Sequence, residues 1–135
     1  MKNMFDVAGK VALVTGGSRG IGEMIAEGFV ANGVRTYISA RKAAACDATA
    51  ARLSEQGECI SIPADLSTVE GVHHLASEIK AREPKLDILV NNAGATWGAS
   101  IDEFAEAGWD KVMDINVKGP FFLTQALLPL LEASA

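Results

Sequence analysis

The stretch that most limits what this chain can fold into is Thr15-Gly16-Gly17-Ser18-Arg19-Gly20-Ile21-Gly22, directly after the apolar run Val11-Ala12-Leu13-Val14. That run has no polar alternation and reads, from Lys10 to Thr15, as a strand buried on both faces. After it, Ile21, Ile25 and Phe29 recur at helical spacing until Asn32-Gly33, a stop signal. The glycines, spaced Gly-x-x-x-Gly-x-Gly, therefore fall where a buried strand turns into a helix. Such a turn lets a ligand approach the backbone, offers unpaired amides at the helix start, and lets the helix pack close to the strand. These are the needs of a dinucleotide pyrophosphate, and Gly16, Gly20 and Gly22 supply them. The bland alternative is a glycine turn with no ligand. No Gly-Lys-Ser/Thr follows, which excludes a nucleoside-triphosphatase loop. Ser18 stands in Gly-Ser-Arg-Gly, which excludes a hydrolase nucleophile elbow.

The rest of the chain repeats the alternation. Arg35–Ser39 predicts a second strand, the alanine-rich 43–56 a helix, and CISIPA from Cys59 a third strand. Ser67 is the expected cap of the next helix, with Glu70 completing a capping box and Val69, Val72, Leu75 and Ile79 forming its apolar face. LDILV at 86–90 is the fourth strand. One long helix is expected over 108–133, with Val112, Ile115, Phe122, Ala126 and Leu130 as its stripe. Strands alternating with helices imply right-handed βαβ units and a parallel sheet. The expected fold is one α/β domain over 1–135, a partial Rossmann-type doubly wound sheet ordered 3-2-1-4. At 135 residues and 49% hydrophobic, the chain is long and apolar enough for a single core.

The net charge of −5 argues against a duplex nucleic-acid partner. No apolar run suits a membrane span, and 1–10 carries no secretory leader pattern. Cys46 and Cys59 lack Cys-x-x-Cys spacing and read as ordinary thiols of a reducing cytoplasm. The adjacent His73 and His74 point about 100° apart on a helix and cannot share a metal, so no metal site is expected.

The second strand ends Ser39-Ala40-Arg41, about 20 residues past the glycine turn, where an NAD site places an acid on the ribose. An arginine there suits the 2′-phosphate of NADP (NADPH), and Arg19 can reach it from the other side. The alternative for Arg41 is a solvated strand-end charge. Asp65, at the end of the third strand, reads equally as an adenine contact and as a helix cap. Asn91-Asn92-Ala93-Gly94 follows the fourth strand and faces the glycine loop across the crevice, with a structural tie expected beside any cofactor contact. Pro120 has no N–H, so the Asn116 carbonyl loses its partner four residues on and can hold a water; the plainer outcome is a kink. Trp97 is expected at a substrate pocket, and Trp109, Phe121 and Phe122 in packing.

Taken in order, TGGSRGIG, Asp65-Leu66, NNAG and Asn116-Val117 resemble the short-chain dehydrogenase/reductase family, essentially throughout the chain. YISAR, PADLS and NNAGATWGA look most like its β-ketoacyl (3-oxoacyl) reductase branch, including the rhamnolipid-biosynthesis type. The resemblance implies NADP contacts from Gly16, Gly17, Ser18, Arg19, Gly20, Ile21 and Gly22, from Arg41, from Asp65 and Leu66, and from Asn92, Ala93 and Gly94. It implies a catalytic role for Asn116, beside a serine and a Tyr-x-x-x-Lys pair that this chain lacks. Tyr37, the only tyrosine, is followed four residues on by Arg41, and no lysine follows Lys118. Reduction of a ketone, such as an acyl thioester, is therefore expected of a complete form, a homotetramer or dimer, with this chain a truncated and inactive part. A non-catalytic nucleotide-binding or assembly module is the alternative.

Overall fold

The computed structural model describes residues 3–135. Four parallel strands, β1 (Val11–Thr15), β2 (Arg35–Ser39), β3 (Cys59–Ser61) and β4 (Ile88–Val90), lie in the order β3-β2-β1-β4. Between them run α1 (Gly20–Ala31), α2 (Ala43–Leu53) and α3 (Val69–Arg82). After β4 come a short 3-10 turn at Ile101–Glu103, then α4 (Glu106–Met113) and α5 (Gly119–Ser134). The sheet is the expected Rossmann-type half, and among the described residues β4 pairs with β1 alone.

Because β1 and β2 pair Leu13 with Tyr37 and Val14 with Ile38, alternate residues supply two cores. Leu13 and Tyr37 join Leu75 and Ile79 of α3 and Leu123 and Leu127 of α5 on one face. Val14 and Ile38 meet Ala26 and Val30 of α1 and Cys46, Ala50 and Leu53 of α2 on the other. No helix among the described residues is long and apolar enough to cross a membrane.

Three sequence expectations need correction. Helix α1 fully buries Gly22, Ala26 and Val30; of the expected Ile21, Ile25 and Phe29 face, Ile25 and Phe29 pack half-buried against the second core, while Ile21 is 66% exposed. Small residues face the sheet because the helix lies close to it. Thr68, not Ser67, caps α3, its side chain accepting from the Gly71 N–H at 3.0 Å. The single long helix is interrupted: a π-turn at Asp114–Lys118 joins α4 to α5, with the Gly119 N–H bonded to the Asp114 carbonyl five residues back. Pro120 has no N–H for the Asn116 carbonyl, and the wider turn accommodates that loss.

One buried ionic group has no precedent in the sequence reading. Glu83, just past α3, is 5% exposed and takes two bonds from Arg35 Nη1 at 3.1 and 2.9 Å and one from the Tyr37 hydroxyl at 3.1 Å. Burial and the Glu83 charge push the Tyr37 phenol above its ordinary range.

Candidate cofactor-binding site

The glycine turn is held from behind. Gly16 has φ +64°, a left-handed conformation that a side chain strains. The Gly17 N–H donates to the Ser39 carbonyl at 3.2 Å, and Thr49 Oγ1 to the Ser18 carbonyl at 2.9 Å. Asn92 Nδ2 donates to the carbonyls of Thr15 at 3.1 Å and Gly16 at 3.3 Å. A Cβ built on Gly22 would overlap the Gly16 carbonyl oxygen, so only glycine lets α1 start this close to the turn. Arg19 stands at the N-cap and no side chain caps α1. The Gly20, Ile21 and Gly22 amides therefore have no internal acceptor and carry the positive end of the helix dipole, Glu23 being the first to bond back, to the Arg19 carbonyl at 3.3 Å. These features suit a pyrophosphate: a close backbone, free amides, and no Cβ in the cradle.

Thr15 joins the two loops and was not singled out from sequence. Its hydroxyl donates to the Val90 carbonyl at 3.3 Å and accepts from the Asn92 and Ala93 N–H groups, each at 3.0 Å. A hydroxyl has one donor and two acceptor positions, and all are used. The signal available was its place, a threonine closing an apolar strand. Asn92, Ala93 and Gly94 are thereby set beside the glycine turn at the C-terminal ends of β1 and β4, while Asn91 Nδ2 reaches Thr124 Oγ1 at 3.4 Å.

Arg19 and Arg41 are both exposed, and among the described residues neither has a carboxylate within 4.0 Å. The Asp65 carboxylate accepts from the Ser67 hydroxyl at 2.6 Å and the Ser67 N–H at 3.0 Å. Bonding to Ser67, with a smaller contribution from the Arg41 charge, holds it below the usual carboxylate range. Asp65 therefore shapes the turn before α3 rather than capping it. Its depressed pKa contributes stability that is present above the unfolded value near ~3.9 and lost as pH falls through the folded one. Ser67→Ala should raise the Asp65 pKa in an NMR titration; an unchanged midpoint would assign the shift to another cause. Leu66 is buried, with its carbonyl against Gly119.

Asn116 locks the β4 loop to the π-turn. Its Oδ1 accepts from the Ala95 N–H at 3.1 Å and its Nδ2 donates to the Ala95 carbonyl at 2.8 Å. Trp97 lies on Gly108 of α4, where any Cβ would meet its indole at 2.6 Å, with Lys111 Nζ 5.8 Å from the ring. Trp109 and Phe121, expected in packing, are 59% and 63% exposed, while Phe122 packs against the core. His73 and His74 are exposed, and the described residues contain no group of three or more potential metal ligands. Cys46 and Cys59 are buried free thiols, the latter pushed up to about 11 by burial.

A parallel sheet ordered 3-2-1-4 with a glycine turn at its central crevice defines an α/β nucleotide-binding domain. The family model for short chain dehydrogenase matches residues 10–135, and the chain belongs to that family. Along its whole length it is 53% identical to the rhamnolipids biosynthesis 3-oxoacyl-[acyl-carrier-protein] reductase of Pseudomonas aeruginosa, covering 53% of that protein. It is 33% identical over 130 residues to a 3-oxoacyl-[acyl-carrier-protein] reductase of Synechocystis sp., covering 95% of this chain and 53% of that one. Among solved structures it superposes on the Pseudomonas aeruginosa RhlG/NADP active-site complex with a TM-score of 0.94 at 52% identity, over 100% of this chain and 53% of that one. The Gluconobacter frateurii L-sorbose reductase complexed with NADPH and L-sorbose gives 0.90 at 33% identity, over 94% and 49%. The chain spans about half the length of these relatives.

Proposed function

We propose that this chain is the cofactor-binding part of an NADP(H)-dependent short-chain reductase whose substrate is a ketone such as a 3-oxoacyl thioester. The observation that carries the reading is the pair Arg19, within the glycine turn, and Arg41, just past β2 where an NAD site would put an acid, both free of carboxylate partners among the described residues. In this reading the backbone from Gly16 to Gly22 holds the pyrophosphate, and the two guanidinium groups hold the 2′-phosphate. Asp65 and Leu66 border the adenine, and Asn92, Ala93 and Gly94 border the ribose on the nicotinamide side. The nicotinamide, when bound, supplies hydride for a carbonyl carbon.

Asn116 then has two uses: its side chain holds Ala95 in place, and its main-chain carbonyl, for which Pro120 supplies no N–H, can hold a water of a proton relay. The proton for the carbonyl oxygen has no donor among these residues, because Tyr37 is buried in β2 and bonded to Glu83. The 135-residue chain by itself is accordingly a binder without turnover. A homo-oligomer and a cytoplasmic location complete the proposal, supported by the family membership. The test is calorimetric titration with NADPH and NADH. NADPH should bind more tightly, and Arg41→Gln should weaken it at least tenfold, as loss of a charge-assisted hydrogen bond worth about 1.5–3 kcal/mol implies. A preference for NADH would overturn the assignment, and NADPH oxidation with a short 3-oxoacyl thioester would overturn the expected inactivity.

A further inference from the structure

A threonine in mid-helix commonly turns its hydroxyl back to a carbonyl three or four residues earlier. Thr49 of α2, 8% exposed, instead donates across to the Ser18 carbonyl at 2.9 Å, 31 positions back. Among the described residues this is the one hydrogen bond from α2 to the glycine turn. In a planar trans peptide the carbonyl and the following N–H point in opposite directions. Tying the Ser18 carbonyl to α2 therefore turns the Arg19 N–H away from α2, and that N–H has no acceptor among the described residues. Arg19 itself is extended, with φ −159° and ψ 167°. The residues before it are pinned as well, Gly16 by Asn92 from the β4 side and Gly17 by Ser39 from the β2 side. Ser18 is thus the last anchored residue before Arg19. Helix α2 begins two residues after Arg41, so the Thr49 bond joins the two segments that carry the arginines.

We propose that Thr49 is a positioning residue that fixes the Ser18–Arg19 peptide and, through it, the reach of Arg19 toward a 2′-phosphate. The inference rests on the cofactor reading above. Without the hydroxyl, the Ser18–Arg19 peptide can rotate, and Arg19 starts from no defined direction.

The test compares NADPH and NADH dissociation constants, on the full 135-residue chain, for the unsubstituted protein, Thr49→Val, Thr49→Ala, Thr49→Ser, Arg19→Gln and the Thr49→Val/Arg19→Gln pair. Valine keeps the shape of threonine, and alanine deletes the hydroxyl in a better helix former should valine disturb folding. Both should weaken NADPH about fivefold, the effect of one neutral hydrogen bond, and NADH much less. Serine should restore NADPH binding, and in the Arg19→Gln background the valine should add little. The role of Thr49 is overturned if the NADPH preference survives its substitution, if serine is as weak as valine, or if the valine penalty is unchanged beside Arg19→Gln. A failure of the unsubstituted chain to bind NADPH overturns the cofactor reading itself, which keeps the two failures apart.

Discussion

Gly22→Ala is expected to weaken NADPH binding about 100-fold, equivalent to roughly 2.7 kcal/mol, and to lower the melting temperature as well. The new Cβ would overlap the Gly16 carbonyl oxygen and lie 2.5 Å from Asn92 Nδ2. Neither is the end of a flexible chain: one is backbone, and the other is held by two carbonyl acceptors. The methyl group can be accommodated only if α1 moves off the turn, and that displaces the free amides of its first turn. Gly28→Ala makes the control, since nothing lies within 4 Å of a Cβ built there and alanine favours helix. Calorimetry on both variants decides: equal NADPH affinities would mean that the close approach of helix and turn is not what the site needs.

The contrast between Gly22 and Ile21 shows what the sequence discloses and what it conceals. A buried parallel strand announces itself by apolar content, so β1 and its glycine turn were legible. The buried face of α1 was legible only in part: Ile25 and Phe29 pack half-buried against the core, but the closest contacts are Gly22, Ala26 and Val30, small where the helix nears the sheet, and the larger Ile21 turns outward. Side-chain size misleads when the distance between elements, rather than apolar area, decides the contact. Residues adjacent in sequence, such as Asn91 and Asn92 or Ser67 and Thr68, likewise split their roles according to backbone direction, which no spacing rule supplies. The ties through Thr15, Thr49 and Glu83 span 31 to 78 positions. They depend on strand order and register, known only once the chain is folded. Even so, Arg35 and Tyr37 stand two apart on β2, a spacing that puts them on one face, which is where both meet Glu83. Pro120 disclosed that the Asn116 carbonyl would have no donor four residues on, while the bond from Asn116 to Ala95 needed the loop in place.

Asn92→Asp is expected to destabilise the chain by about 2 kcal/mol at neutral pH, roughly 8 °C in melting temperature, because it reverses the polarity of the bond that holds the two loops together. Asn92 Nδ2 donates to the Thr15 and Gly16 carbonyls. An ionised carboxylate in the same place has no donor and faces two acceptors, whereas the neutral acid can still donate one hydrogen bond. The folded protein therefore prefers the neutral acid, and the folded pKa of the new group rises above its unfolded value of about 3.9. Between those two values the folded state binds more protons than the unfolded one, so stability falls as pH rises through this window and is level above it. The deficit relative to the unsubstituted chain should accordingly be full at pH 7 and shrink toward pH 4. Asn92→Leu removes the donors without adding a titrating group, and its deficit should not vary over that range. Melting both variants beside the unsubstituted chain at several pH values separates the effects. An Asn92→Asp variant as stable as the parent at neutral pH, or a deficit that does not shrink on acidification, would show that the amide is not what ties the β4 loop to the glycine turn.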